Sequence, residues 1–404
     1  MGRFERQQDL LKIIAHLDIT PTMYKNAEEK YRSIMSYLNQ HGLVADIYPQ
    51  GSFALGTVVR PSAKTVNTAY DLDVVCQVTG SREETTPSEL WNKVGALLKE
   101  SPLYGGKLTE YEKCFTIEYA EVDGYGFSID IVPATDESEE IKSTLRKKSA
   151  FPELLDTAIA LPKHSEKSYR WATNNPKGYR AWFETINKPF SENSWDSIRK
   201  SILNENRTLF SSIEEIPHEL NRSSVQRVIQ ILKYHRDVYY GKIPNGDTLK
   251  PISAIINTIV ARIASTADAN LTTFELLDYV TQELATYSNH QRLNESMFSA
   301  LYGARNVIEK KGGTWRIENP ANPEDNLADA WNFNPDIPKR FFGWVNIVRE
   351  DLIDSLELTD ENFRAKAESA FGQRAVEEAW GTKYNAVPAK TISTAYSPKP
   401  WRVR

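Results

Sequence analysis

DLDVVC, residues 71–76 of this 404-residue chain, combines two acidic residues with an apolar run. Side chains alternate between the two faces of a β-strand, so Asp71 and Asp73 point to one face, roughly 6.5–7 Å apart along the backbone. The apolar residues between and after them point to the other face, toward a core. Two carboxylates on one face repel each other unless a cation lies between them. The stretch therefore predicts a strand over 71–78 whose acidic face suits Mg²⁺, although an isolated Asp-X-Asp is more often an exposed strand edge.

A second apolar strand is predicted to carry a third carboxylate. In FSIDIV, residues 127–132, the side chains of Phe127, Ile129 and Ile131 alternate onto one face and leave Asp130 on the other. Charged residues are depleted inside strands, so Asp130 needs a reason to be there. If this strand lies beside 71–78, three carboxylates converge, and such a set can bind a pair of metal ions.

A Gly/Ser turn precedes both strands. The sequence QGSFALGT, residues 50–57, contains two glycines that allow close approach of a ligand, together with the hydroxyl of Ser52. Backbone N–H groups at a turn or helix start bind anions such as a triphosphate. A Gly/Ser turn alone is usually a plain loop. The turn is a more specific signal of a nucleotide site when the two acidic strands follow it. We therefore expect Gln50, Gly51 and Ser52 to bind a nucleotide.

Hydrophobic periodicity predicts an α+β fold. Thr20 and Pro21 are expected to start a helix that stops at Gly42. Strands are predicted over 71–78, 114–120 and 126–132, and further helices over 223–240, 251–264, 273–287 and 294–310, with a loop at 312–326. We expect three parts: a catalytic lobe with N-terminal helices (1–200), a helical lobe (201–385) and a flexible C-terminal tail (386–404).

Composition excludes several classes of protein. The 49 Lys+Arg against 54 Asp+Glu give a net charge of -5, which argues against a protein that grips long nucleic acid. The stretch 142–207 is locally basic and is either a solvated surface or a phosphate-facing rim. No apolar stretch reaches about 18 residues, so we expect no membrane span and a cytoplasmic protein. Cys76 and Cys114 are too few for a disulfide framework, and Cys76 is expected in the core.

The order of these motifs resembles the polymerase-β-like nucleotidyltransferase superfamily. Within it the sequence is similar to the CD-NTases, relatives of oligoadenylate synthase and cyclic GMP-AMP synthase that make cyclic oligonucleotide signals. Gly51–Ser52 with Gly56–Thr57 matches the family's nucleotide-binding turn. The residues that match its metal-binding acidic triad are Asp71, Asp73 and Asp130.

Two positions in the second half also resemble the family. VQRVIQILKYHR, residues 225–236, resembles the helix with a triphosphate-contacting lysine, here Lys233. PIS, residues 251–253, resembles the start of the next helix, where Ser253 touches the phosphates. Without the family, Lys233 would be interpreted as a solvated residue on the polar side of an amphipathic helix. Ser253 could also be the N-cap of its helix.

The resemblance implies a bilobed enzyme, a mixed-sheet catalytic lobe plus a helical lobe, that binds two Mg²⁺ ions or Mn²⁺ in their place. Its implied substrates are NTPs, ATP and/or GTP, which it would join with pyrophosphate release into a purine-containing cyclic di- or trinucleotide. That diffusible product would activate a separate effector in bacterial antiphage (CBASS) signalling. We expect a monomer without stable DNA binding, since the sequence lacks a zinc-type Cys/His insertion.

Two other functions stay open at the level of sequence. One is linear nucleotidyl transfer to an RNA or protein acceptor, which would favour a basic open groove and is disfavoured by the acidic net charge. The other, of a different class, is a catalytically inactive nucleotide-binding scaffold. The complete set of three aspartates argues against it.

Overall fold

Helices and strands alternate in the first half of the computed structural model, which describes residues 2–61, 69–122, 125–165, 168–205 and 222–385. Their bounds are α1 (Arg3–Ala15), α2 (Pro21–Gln40), β1 (Ala45–Pro49), α3 (Gly51–Leu55), β2 (Ala69–Ser81), α4 (Pro87–Glu100), β3 (Leu108–Glu110), β4 (Phe115–Val122), β5 (Tyr125–Asp136), α5 (Glu139–Lys148), β6 (Ile159–Ser165), β7 (Ser168–Asn174) and α6 (Pro176–Glu205).

The second half is mainly helical, with short strands in its middle. Its elements are α7 (Ser224–Tyr240), α8 (Gly246–Leu249), α9 (Ser253–Ala264), α10 (Thr273–Tyr287), α11 (Glu295–Tyr302), β8 (Glu309–Lys311), β9 (Thr314–Arg316), β10 (Glu318–Asn319), β11 (Asn322–Asn326), α12 (Asp329–Phe333), α13 (Asp336–Leu352), α14 (Asp360–Phe371) and α15 (Gln373–Trp380). The predicted α+β class is confirmed.

A mixed seven-stranded sheet forms the centre of the first half. Its strand order is β1-β2-β5-β4-β3, and β6 extends it by pairing with β5 and β7. The pair β2–β5 is parallel, whereas β1–β2 and β4–β5 are antiparallel. One face of β2 and β5 is buried against α2 and α4, in a cluster that includes Leu72, Val74, Phe127, Ile129 and Ile131. Burying that face leaves the acidic side chains of both strands on the opposite face.

Helix α2 forms where the sequence predicts it, and its cap and apolar residues show why. Thr20 Oγ1 accepts a hydrogen bond from the Met23 amide at 3.1 Å, and Pro21 is the first helical residue, which needs no N–H partner. The apolar residues of the helix then bury one stripe against the sheet: Met23, Ala27, Ile34 and Leu38. The cap and the stripe together fix both the start of the helix and its packed face.

A second core lies among the helices, around α7. Val225, Val228, Ile229 and Leu232 are fully buried in it, as their i, i+3, i+4, i+7 spacing predicts. Helix α1 and the first half of α6 also contribute to this core rather than to the sheet, through residues that include Leu10, Ile13, Ile14, Trp182 and Phe183. The division at residue 200 stays a prediction, and the predicted tail, 386–404, lies outside the described residues.

Two predicted elements are wrong. The helix expected over 294–310 ends at Tyr302, because Gly303 takes a positive φ of 77° and leaves the helical path. The loop expected over 312–326 contains three strands instead: β9, which pairs with β8 just before this range, and the antiparallel hairpin β10–β11. Their strands are only two to five residues long, too short to show an alternating pattern in the sequence.

Asp9 links α1 to the last described residues. Its side chain is 3% exposed and accepts hydrogen bonds from Lys12 Nζ at 2.8 Å, Lys383 Nζ at 2.5 Å and Tyr384 OH at 2.5 Å. Trp380 Nε1 donates to the Asp9 backbone carbonyl at 2.8 Å. Burial alone would raise the pKa of Asp9, but the three donors together hold it below its usual value. Asp9 therefore fastens α15 and the residues after it onto α1.

Asp9→Ala is expected to lower the free energy of unfolding by about 2 kcal/mol, since it removes a buried charged acceptor from three donors. Because the folded-state pKa is depressed, this contribution is present above the unfolded-state pKa and disappears as the pH falls through the lower folded-state value. Urea denaturation at pH 7 measures it. The exposed Asp268→Ala serves as the control, and an equal loss in both variants would contradict the role given to Asp9.

Candidate active site

The acidic face of the sheet brings three carboxylates together. In the parallel pair β2–β5, Asp73 lies directly opposite Asp130, and Asp71 lies opposite Ser128, one strand repeat away. Carboxylate oxygens of Asp71, Asp73 and Asp130 all lie within 4.8 Å of one another. The convergence expected from the two sequence patterns is therefore present in the fold.

The environment of the triad is unfavourable for bare negative charge. Asp71 is exposed, whereas Asp73 and Asp130 are partly buried. Burial, and then the charges of Asp71 and Asp130, raise the pKa of Asp73 to about 7. Burial also raises the pKa of Asp130, against an opposing hydrogen bond from Thr116 Oγ1 to Asp130 Oδ1 at 2.6 Å. A divalent cation among the three carboxylates would remove this cost.

Thr116 belongs to the site although the sequence analysis did not single it out. It lies on β4, opposite Asp130 in the antiparallel β4–β5 pair. A signal was present, because Phe115 and Ile117 are core residues and alternation places Thr116 on the acidic face. Its hydroxyl orients one oxygen of Asp130 and leaves the other oxygen available.

The predicted Gly/Ser turn is a single helical turn, α3, that follows β1 directly. The Gln50 amide donates to the Asp73 carbonyl at 2.8 Å and ties the turn to β2. Gly51 has a positive φ of 62°, and a Cβ on it would lie 2.4 Å from Asp73 Oδ2. Only glycine fits this position, since any side chain would displace the carboxylate. Gln50, Gly51 and Ser52 thus lie beside the acidic triad.

A cleft of about 1230 Å³ runs between the sheet and the helices around α7. Two of the three aspartates and all of the residues predicted to bind nucleotide line it: Gln50, Gly51, Ser52, Asp71, Asp73, Lys233 and Ser253. Asp130 is outside this lining, and its carboxylate reaches the other two from the neighbouring strand. The cleft therefore joins motifs that are up to about 200 residues apart in sequence.

Lys233 is buried, so its interpretation as a solvated lysine is wrong. It is 5% exposed, and its Nζ donates to the Thr57 carbonyl at 3.0 Å. Burial, and then the charge of Arg236, lower the pKa of Lys233 to about 8, while the charges of Asp71 and Asp73 oppose the shift. The polar side of α7 faces the cleft and the segment after α3 rather than water, which amphipathic periodicity alone cannot distinguish.

Ser253 is the first residue of α9, not its N-cap. The N-cap is Ile252, which has no side chain able to cap, so the alternative interpretation is wrong. Ser253 Oγ instead accepts a hydrogen bond from Arg236 Nη1 at 3.2 Å, and the same nitrogen donates to the Pro251 carbonyl at 3.0 Å. Arg236, which the sequence analysis missed, fixes the start of α9 at the edge of the cleft.

His235 lies away from the chemistry. It is 1% exposed, and its Nδ1 accepts a hydrogen bond from Trp344 Nε1 at 3.0 Å. It packs α7 against α13. Cys76 is likewise buried in the core beneath β2, as expected.

Residues 5–187 match the family model described as Second Messenger Oligonucleotide or Dinucleotide Synthetase domain, abbreviated SMODS. The match spans 183 of the chain's 404 residues. The domain contains the triad and the Gly51–Ser52 turn, whereas Lys233 and Ser253 lie beyond it. The resemblance to this family that the sequence predicts is confirmed.

Relatives extend the similarity past the SMODS domain. The chain is 24% identical over 360 residues to c-di-GMP synthase of Roseivirga ehrenbergii, an alignment that covers 87% of this chain and 80% of that protein. Among solved structures, the CD-NTase CdnG of Bradyrhizobium diazoefficiens in complex with GTP superposes with a TM-score of 0.63 at 18% identity, covering 93% and 98% of the two chains. CdnC of E. coli with ATP gives 0.56 at 14% identity, covering 91% and 97%.

At these identities the solved structures establish the fold of the chain, and that fold is the one of the CD-NTases. The likeness runs through both the SMODS domain and the helices that follow it.

Across the described part of the chain, no helix combines the length and the apolar character that crossing a bilayer requires.

Without divalent metal, the free energy of unfolding is expected to fall as the pH rises from about 4 to about 7. Over this range the folded state keeps a proton on Asp73 that the unfolded state has lost, because the folded-state pKa is raised to about 7. Asp73→Asn should flatten this part of the profile. Urea denaturation in EDTA at pH 5 and pH 8, on wild type and variant, measures the difference. A wild-type profile that the substitution leaves unchanged would contradict the burial and repulsion described for the triad.

Proposed function

We propose that this chain is a nucleotidyltransferase that joins NTPs into a cyclic oligonucleotide second messenger. The observation that carries the proposal is that one carboxylate oxygen each of Asp71, Asp73 and Asp130 lie within 4.8 Å of one another, beside a cleft that Asp71 and Asp73 line. Nucleotidyl transfer needs cations that neutralise the negative charge of the transferring phosphate, and a cluster of carboxylates provides the ligands that hold such cations.

The residues of the site fit a divalent metal. Three carboxylates provide the hard oxygen ligands that Mg²⁺ prefers, and Mn²⁺ accepts the same ligands. Two of them are partly buried, and the raised pKa of Asp73 shows the cost of leaving them without a cation. Bound Mg²⁺ would neutralise the triphosphate and lower the pKa of the attacking hydroxyl. We assign Asp71, Asp73 and Asp130 as its ligands and propose that they hold two ions.

Other residues of the chain are assigned to hold the triphosphate. The glycine at position 51 leaves space for the Asp73 carboxylate, and Ser52 adds a hydroxyl and an amide beside the triad. Lys233 and Ser253 face this turn from the helical side of the cleft and would bind the phosphates from there. A nucleotide held from both sides has its α-phosphate fixed relative to the acceptor hydroxyl, which is the main contribution of positioning to this chemistry.

The reaction proposed is in-line attack of a ribose hydroxyl on the α-phosphate of a second NTP. One phosphodiester bond forms, one phosphoanhydride bond breaks, and pyrophosphate leaves. A second round between the two ends of the linear product closes the ring. The cleft, at about 1230 Å³, is larger than the space that one drug-sized ligand fills, so it has room for two nucleotides.

Purine nucleotides are the proposed substrates. The curated relative is named c-di-GMP synthase, and the two solved structures were obtained with GTP and with ATP. We propose GTP, ATP or both as substrates and a cyclic di- or trinucleotide as product, acting on a separate effector in bacterial antiphage signalling. We further propose that the protein works as a monomer in the cytoplasm, where NTPs and Mg²⁺ are available.

Incubation with each labelled NTP and Mg²⁺, singly and in pairs, tests the proposal. Wild type is expected to release pyrophosphate and to form a product that resists phosphatase, because a ring has no terminal phosphate. Asp71→Ala combined with Asp73→Ala should reduce incorporation by more than about 1000-fold, as it removes two ligands of the metal. The variant should keep its fold, since relieving carboxylate repulsion does not destabilise the sheet.

The exposed Asp268→Ala is the matched control and should retain wild-type turnover. Phosphatase-sensitive products alone would favour linear transfer instead of cyclisation. Binding of NTPs without any pyrophosphate release would identify an inactive scaffold. Unchanged turnover in the double variant would contradict the assignment of the triad.

A further inference from the structure

A buried amide without a partner lies in the cleft, one turn beyond Ser253. Asn257 of α9 is 5% exposed and lines the cleft together with Ser253 and Ala254. Residues spaced by three and four along a helix share one face, so these side chains form a single strip along the cleft wall. Asn257 is therefore a cleft residue by position, although its side chain is almost entirely enclosed.

The Asn257 side chain makes no hydrogen bond with any described residue. Its Oδ1 is fully buried and has no partner within the described ranges. A buried polar atom left unpaired costs about 1–3 kcal/mol, and most buried amides avoid this cost. The neighbouring Thr258 shows the usual outcome, since its Oγ1 pairs with Tyr179 OH at 2.8 Å. An unpaired amide in a ligand-sized cleft indicates a group that is paired when the ligand is bound.

The chemistry of the amide selects the part of the ligand. The unpaired atom is an acceptor, whereas a triphosphate offers oxygens that also accept, so the phosphates cannot satisfy it. A nucleoside offers donors in its ribose hydroxyls and in the exocyclic amines of its base. Asn257 follows Ser253 by four residues, about 6 Å along the helix axis. This is the direction in which a nucleoside would extend if its phosphates lie at Ser253.

We propose that Asn257 is a further substrate-binding residue, whose side-chain amide accepts a hydrogen bond from a donor group of the bound nucleoside. The inference rests on the proposed function and deepens it. Binding in this way requires the amide to turn about its Cβ–Cγ bond so that the buried oxygen reaches the cleft, and this rotation breaks no hydrogen bond to a described residue. The unpaired amide of Asn257 lowers the stability of the free protein, and it gains a hydrogen-bond partner when the substrate binds.

Asn257→Leu, which has nearly the same shape, separates this role from a structural one. Replacing an unpaired buried amide with an apolar side chain should leave the melting temperature of the free protein unchanged or raise it by about 1–3 °C. The affinity for GTP and ATP, measured by titration calorimetry with Mg²⁺, should fall by about 3- to 10-fold. The affinity for inorganic triphosphate should not change, because the phosphates do not contact this amide.

Asn26→Leu is the matched control. Asn26 of α2 also has a buried amide nitrogen without a partner among the described residues, but it does not line the cleft. Its substitution should leave the affinity for GTP and ATP unchanged. The donor is identified with 2′-deoxy- and 3′-deoxy-GTP and with inosine triphosphate. The analogue that lacks the partner group should bind Asn257→Leu and wild type equally well.

The outcomes distinguish this inference from the function on which it rests. Wild-type protein that binds neither GTP nor ATP contradicts both. Wild-type binding that Asn257→Leu leaves unchanged contradicts only the inference. A melting temperature lowered by more than about 5 °C with normal nucleotide affinity also contradicts it, because it assigns Asn257 a structural role. Asn257→Ala provides a second variant in which no added methyl group can strain the packing, and the same three outcomes apply.

Discussion

Electrostatic repulsion among three carboxylates sets the requirement that the surrounding site must meet. The parallel register of β2 and β5 places Asp73 opposite Asp130, and the strand repeat adds Asp71 on the same face. The apolar residues that alternate with them commit both strands to a core on the other side, so the acidic face cannot turn away. Partial burial raises the pKa of Asp73 and of Asp130, and the fold retains a local cost that a divalent cation relieves. Raised pKa values concentrated in one group of neighbouring carboxyls are typical of a functional site.

The helical part of the chain completes the site through the polar side of α7. Gln226 Nε2 donates to the Leu55 carbonyl at 2.9 Å, Gln230 Nε2 to the Val58 carbonyl at 2.8 Å, and Lys233 Nζ to the Thr57 carbonyl at 3.0 Å. These bonds satisfy backbone groups that follow α3 and hold the Gly/Ser turn against the helices. One helix therefore orders the turn and lines the cleft at the same time. Lys233 and Arg236 line the cleft together and place basic side chains where the triphosphate is proposed to bind.

Local patterns account for much of this structure, and the remainder follows from contacts distant in sequence. Alternation in residues 71–76 and 127–132 predicts which side chains face the core, and the cap at Thr20 predicts the start of α2. Pairing of β2 with β5 brings together residues about 60 apart in sequence. The sequence therefore predicts that the carboxylates converge only if these two strands are neighbours. Periodicity identified the polar side of α7 but not what it faces, which is why Lys233 was open to interpretation as solvated. The unpaired amide of Asn257 has no sequence signature at all, because it is defined by missing contacts.

An anomalous difference map from crystals grown with Mn²⁺ and a non-hydrolysable GTP analogue would show whether the three aspartates bind metal together. We expect Mn²⁺ peaks at the acidic face of the sheet, with oxygens of Asp71 and Asp73 as ligands and Asp130 coordinating at least one ion. We also expect the phosphates of the analogue to lie beside Gly51. Peaks located elsewhere, or an Asp130 carboxylate outside coordination distance of every ion, would contradict the claim that these three residues form one metal site.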